Sequence, residues 1–181
     1  MKIEAIDIYN FWFKEIDPRM WFTKDPEFDQ LIRERFAEVY SQVENCETFH
    51  WRTTPQGRLA EILVLDQFSR NMFRDTPLAF KNDHLALALA QEAVASGDDK
   101  KLSNIEKPFI YMPYMHSESE IIHEAAVHMF SQPGLEGSLE YELLHKEIID
   151  RFGRYPHRNE ILGRDSSHEE MEFLKLPGSN F

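Results

Sequence analysis

Asp25-Pro26, Thr54-Pro55 and Thr76-Pro77, all in the N-terminal half of the chain, each place a capping side chain directly before proline. Asp and Thr accept hydrogen bonds from first-turn N–H groups. Proline already has the helical φ and lacks the N–H that a first turn leaves unsatisfied, so each pair predicts a helix start. Apolar residues then recur at helical spacing. Phe28, Leu31, Ile32, Phe36, Val39, Tyr40 and Val43 follow the first pair, and Leu59, Ile62, Leu63, Leu65 and Phe68 follow the second. Ala86, Ala90 and Ala93 follow the third, with a stop at Gly97.

The rest of the chain repeats the pattern. Ser117-Glu118-Ser119-Glu120 and Ser167-His168-Glu169-Glu170 read as capping boxes, Ser138 as a further cap, and Gly153 as a stop. A short amphipathic helix near the N-terminus uses Ile6, Tyr9, Phe11, Trp12 and Phe13. Strand alternation is weak everywhere. The expectation is an all-α chain of about seven helices, built as one helical domain over residues 1–181, since no composition shift marks a linker. Spacing alone leaves a bundle and a helical array equally open.

Charge narrows the partners. A net charge of -12 opposes the broad basic footprint that nucleic acid needs, and equally opposes an anionic membrane surface. No stretch approaches the roughly 18 apolar residues of a membrane span, and the first residues mix Lys2 with Glu4 and Asp7 rather than opening a signal peptide. Cys46 is the sole cysteine, so neither an internal disulfide nor a thiolate metal cluster is expected, and a cytoplasmic, reducing location follows.

Known catalytic patterns are missing. His123 and His128 stand at i, i+5, about 140° apart around a helix, where a zinc helix needs i, i+4. The seven glycines form neither a G-x-G-x-x-G loop nor a Walker pattern, and no G-x-S-x-G elbow is present. The sequence gives no reason to expect a metal or a cofactor.

Ionisable residues on apolar faces are more informative. On a helical wheel Asp66 falls within the stripe of Leu59, Ile62, Leu63 and Phe73, with Arg70 one turn on. A carboxylate there must find a cation or donors, because burying it alone is costly. Glu118 projects beside Ile121, Ile122, Ala125 and Met129, and His145 lies amid Tyr141, Ile148, Ile149 and Phe152. The segment Asp150 to Arg164 then gathers Arg151, Arg154, Arg158 and Arg164 with His157 and Asn159, a natural supplier of partners in an acidic chain.

Three blocks, Leu65 to Arg74, Tyr111 to Glu118 and Arg151 to Arg164, resemble the signatures of a bacterial domain-of-unknown-function family with a tetratricopeptide-like helical fold. Asn10 to Phe13 and Ser167 to Leu174 fit the same pattern, whereas Ser119 to His128 departs from it. The resemblance implies an α-α superhelical array with no assigned reaction, substrate or cofactor.

Three readings of function remain open at this level. In the first, a binding module seats an anionic small molecule, or a peptide carboxylate or phosphate, on Asp66, Arg70, Asn71, Arg74, His116, Glu118, His145, Arg154, His157, Arg158, Asn159 and Arg164. In the second, the same groups form a buried structural network and function lies in contact with a protein partner. The third is an enzyme using Asp66, His116, Glu118 or His145 for acid–base work, with or without a divalent metal held by carboxylates and imidazole.

Overall fold

The computed structural model describes residues 2–179 and contains, among them, eight helices and no strand. Helix α1 runs Ala5–Asn10 and continues through a π-helical turn, Phe11–Glu15. Helix α2 is Pro26–Glu44, and α3 is Pro55–Leu63 extended by a π-helical turn, Val64–Phe68, and by Ser69–Met72. Then follow α4 (Asp83–Ala95), α5 (Lys107–Met115), α6 (Glu120–Phe130), α7 (Glu136–Phe152) and the short α8 (His168–Phe173).

The cap–proline pairs act as their chemistry dictates at two of three places. The Asp25 carboxylate accepts from the N–H groups of Glu27 and Phe28, and the Thr54 hydroxyl accepts from Gly57 N–H at 3.0 Å. Behind Asp25, the residues Phe28, Ile32, Phe36, Val39, Tyr40 and Val43 are buried while Leu31 is exposed. Gly57 is required: a Cβ there would stand 1.9 Å from the Trp51 carbonyl oxygen, which belongs to backbone that cannot step aside.

Consecutive helices lie side by side, α2 on α3, α3 on α4, α4 on α5, α5 on α6 and α6 on α7, with α1 against α3. Helix α3 is therefore enclosed, and every residue from Leu59 to Ser69 is buried. Phe11, Trp12, Phe36 and Phe68 interlock around it with ring centroids 4.8–5.8 Å apart. Each fully buried ring of this kind contributes about 2–3 kcal/mol. Alanines 86, 90 and 93 let α4 approach closely. A smaller cluster of Ile148, Ile149 and Tyr155, with Phe152 and Phe173, closes the C-terminal end.

Four local expectations are corrected. Thr76-Pro77 opens only a 3-10 turn, Pro77–Phe80, and α4 starts afresh at Asp83. Ser117 does not cap α6; Ser119 occupies the cap position without a side-chain bond, and the neighbouring Glu118 is held by Arg164. Ser138 lies inside α7, which begins at Glu136. Lys107–Met115, for which no helix was expected, is a helix with Pro113 within it. Gly153, at φ +67°, ends α7 as expected, and the 3-10 turn Pro156–Arg158 follows.

Candidate functional site

Asp66 lies on the π-helical turn of α3 and is only 1% exposed. Its Oδ1 accepts from His116 Nδ1 at 2.7 Å, its Oδ2 accepts from the Gln67 amide at 2.6 Å, and Arg70 Nη1 stands 3.2 Å from Oδ1. Burial alone would raise this carboxyl, but the Arg70 charge and the hydrogen bonds from His116 and Gln67 overrule it and hold Asp66 well below the usual range. Asp66 is thus a carboxylate, and His116 donates to it through Nδ1–H. That fixes the neutral imidazole with its free lone pair at Nε2.

Arg70 carries the network outward. Its guanidinium forks onto Asp83 at the start of α4, with bonds of 2.9 and 3.0 Å, and also donates to the Asp66 carbonyl. Asp83 is shared: Arg158 Nη1 reaches its Oδ2 at 3.3 Å, while Arg158 Nη2 donates to the His116 carbonyl at 3.1 Å. The Arg158 guanidinium also stacks on Phe80 and Tyr155, 4.6 and 4.7 Å from the ring centroids. Arg158 is 6% exposed, and its Nε is buried without an acceptor. Burial and the neighbouring Arg70 push this guanidinium downward, which marks a cation incompletely compensated by its surroundings.

A cleft of about 200 Å³ opens beside these groups. Its polar rim includes Lys81, Asp83, His84, His116, Glu118 and Arg158, and its walls are Phe80, Leu87, Pro113 and Leu162 with Pro77. Acceptors and donors there differ in a telling way. Both Asp83 oxygens are engaged by Arg70 and Arg158, and both Glu118 oxygens by Arg164 and the Tyr155 N–H. Arg158 retains spare donors, since it spends N–H groups of only two of its three nitrogens, and the lone pair at His116 Nε2 has no hydrogen-bond partner among the described residues.

The other nominated residues fall into separate groups. Arg164 grips Glu118 at 2.7 and 2.9 Å and donates to Asn159 Oδ1, while the Asn159 amide donates to Ser166. These bonds overrule the effect of burial on Glu118 and hold its carboxyl low. Arg154 is paired with Glu170, and Arg74, with Asn71, is committed to Asp29 in the first turn of α2. His145 bonds the Tyr141 carbonyl and is pushed down to about 3 by burial, and burial with Arg158 pushes His157 down to about 4. Asp66, Arg70, His116, Glu118 and Arg158 therefore meet at or behind the cleft, and Arg74, Asn71 and Arg154 do not.

Sequence reasoning missed Asp83, Phe80 and Tyr155. Asp83 sits in the first turn of a helix, where an acid reads as a dipole partner, and nothing local distinguishes it. It also missed a fully buried pair, His123 Nδ1 with Glu142 Oε1 at 2.7 Å, to which the Tyr155 hydroxyl is adjacent. His128 is exposed while His123 is buried, so the two rings cannot share an ion. Among the described residues no group of three His, Cys, Asp or Glu side chains is placed to hold a metal. Among the described residues no helix is long and apolar enough to cross a membrane.

Fold and site together define an all-helical protein with a buried carboxylate–guanidinium–imidazole network beside a small cleft. Residues 8–178 match the family described as "Bacterial protein of unknown function (DUF924)", and the chain belongs to it. It is similar to a solved structure, the protein of unknown function ATU0120 from Agrobacterium tumefaciens, at 35% identity and a TM-score of 0.88. That match covers 94% of this chain and 96% of the other. A comparison with curated proteins found no match.

Proposed function

We propose that this chain is a ligand-binding helical module whose cleft seats one compact anionic group, a carboxylate or a phosphate. Helices α2 to α7, packed in chain order, form on this reading one tetratricopeptide-like domain, and its place is the reducing cytoplasm that a single cysteine suits. The observation that carries the reading is the imbalance at the rim: every carboxylate oxygen of Asp83 and Glu118 is occupied, while Arg158 keeps unspent N–H groups. An arginine already stacked on two rings is held in place for a planar or tetrahedral oxyanion. At about 200 Å³ the cleft falls below the roughly 300–1,000 Å³ of drug-sized pockets, so the ligand is small. Arg74, Arg154 and Arg164, each saturated by one carboxylate, act on this reading as ties between helices.

Thermal shift with sulfate and acetate, against chloride at matched ionic strength, tests this. At ten times Kd an anion stabilises by about 1.4 kcal/mol, a rise of about 3–6 °C. Arg158→Gln should abolish the rise for whichever anion gives it. No rise with either anion in the wild-type protein would refute the proposal.

A further inference from the structure

We propose that the cleft takes up its oxyanion together with one proton, and that the proton resides on Nε2 of His116. This inference rests on the anion-binding reading above and adds the second contact and its linkage.

The geometry compels the coupling. Nδ1 of His116 is committed as a donor to Asp66, whose carboxylate is 1% exposed and also held by Gln67. In the neutral ring Nε2 therefore carries a lone pair, which repels an oxyanion. The same nitrogen, once protonated, becomes a charge-assisted donor. His116 lines the cleft beside Arg158, whose Nη2 is tied to the His116 carbonyl, so an anion drawn to Arg158 arrives next to the ring. Without an anion, protonation is opposed. Asp66 favours it, but burial and the Arg70 charge outweigh Asp66 and keep the ring neutral. An incoming negative charge reverses that balance.

The groups that face His116 come from every neighbouring element. Asp66 and Arg70 belong to α3, Asp83 to α4 and His145, at 6.4 Å between ring centroids, to α7. Arg158 comes from the turn after α7. Two carboxylates, Asp66 and Asp83, stand against two guanidiniums, Arg70 and Arg158, and with Arg158 incompletely compensated it is the added ligand charge that tips the ring towards protonation. Arg158 supplies attraction at any pH. The imidazole makes affinity depend on proton supply, and proton uptake and anion binding strengthen each other by the same factor.

Isothermal titration calorimetry with sulfate, and separately acetate, separates the two claims. Neither probe changes its own charge between pH 6.5 and 8. Titrations at pH 7 in buffers of different ionisation enthalpy count the protons taken up. We expect uptake approaching one proton per anion, and affinity falling by up to tenfold per pH unit from pH 6.5 to 8. Sulfate alone would identify a tetrahedral site, acetate alone a planar one. His116→Gln should bind with no proton uptake and no pH dependence, and His128→Gln, at an exposed ring outside the cleft, should retain both. In case His116→Gln does not fold, nitrogen NMR of labelled wild-type protein reads the same event. The Nε2 resonance should move from the lone-pair to the protonated position on saturation.

Binding without proton uptake, or with an unmoved Nε2 resonance, overturns this inference and leaves the anion site standing. Failure of both anions to bind removes the site itself.

Discussion

Asp66→Asn tests the network at its most buried point. The substitution keeps the shape of the side chain and removes one charge from a position 1% exposed. Two partners are affected at once: Arg70 at 3.2 Å loses a counter-charge, and the Nδ1–H of His116 at 2.7 Å loses its charged acceptor. Arg70 keeps its fork on Asp83 and so is not stranded. Removing one member of a buried pair costs about 3–5 kcal/mol, and the surviving Asp83 contact places the expected loss at the low end, about 3 kcal/mol. For a chain of 181 residues that corresponds to a fall in Tm of about 6–12 °C.

The pH dependence carries a sign. The native Asp66 carboxyl is held below its unfolded value, so its contribution is complete above about pH 4–5 and disappears as pH falls towards the native pKa. The gap between wild type and Asp66→Asn in urea melts should be constant from pH 5 to 8 and shrink below pH 4. A gap under about 1 kcal/mol at pH 7, or one that widens in acid, would refute the idea that Asp66 anchors this network as a buried anion.

Two further outcomes follow from geometry. Gly57→Ala puts a methyl group 1.9 Å from the Trp51 carbonyl and should destabilise by about 3 kcal/mol, whereas Gly137→Ala, with nothing within 4 Å, should stabilise α7 by about 0.5–1 kcal/mol; chemical denaturation reads both, and equal effects would contradict the packing around α3. Burial holds His145 at about 3 and His157 at about 4, so unfolding binds protons and stability should fall as pH drops from about 6.5 towards 4, with a slope of up to about 1.4 kcal/mol per pH unit for each ring. His157→Gln should flatten that slope, and an unchanged slope would remove His157 from the account.

What was legible in the sequence follows the range of each interaction. Caps at Asp25 and Thr54 and the capping box at Ser167 involve residues two or three apart, and the spacing alone exposes them. Burial of Asp66 was also foreseen, though for an incomplete reason. A wheel drawn at 100° per residue assumes an unbroken α-helix, while Val64–Phe68 is a π turn in which all five residues are buried. The helix has no solvent face there from which a stripe could be distinguished.

Long-range partners were not legible. Asp83 meets Arg158 across 75 residues, and Glu118 takes a bidentate guanidinium contact from Arg164, 46 residues on. The density of arginine after Gly153 signalled that carboxylate partners exist; which carboxylate each one takes is decided by the order in which helices stack.

The π turn in α3 also bears on how this chain tolerates change in length. One surplus residue between Leu63 and Ser69 is taken up by widening the turn, so the helix beyond it, including the Arg70 fork onto Asp83, keeps the azimuth of a continuous α-helix. Deleting one residue from the turn would relax it to ordinary α geometry and leave Arg70 near its acceptor, whereas the same deletion in an unbroken α-helix would swing every later side chain by about 100°. Within α3 a one-residue loss is therefore best absorbed at these five positions.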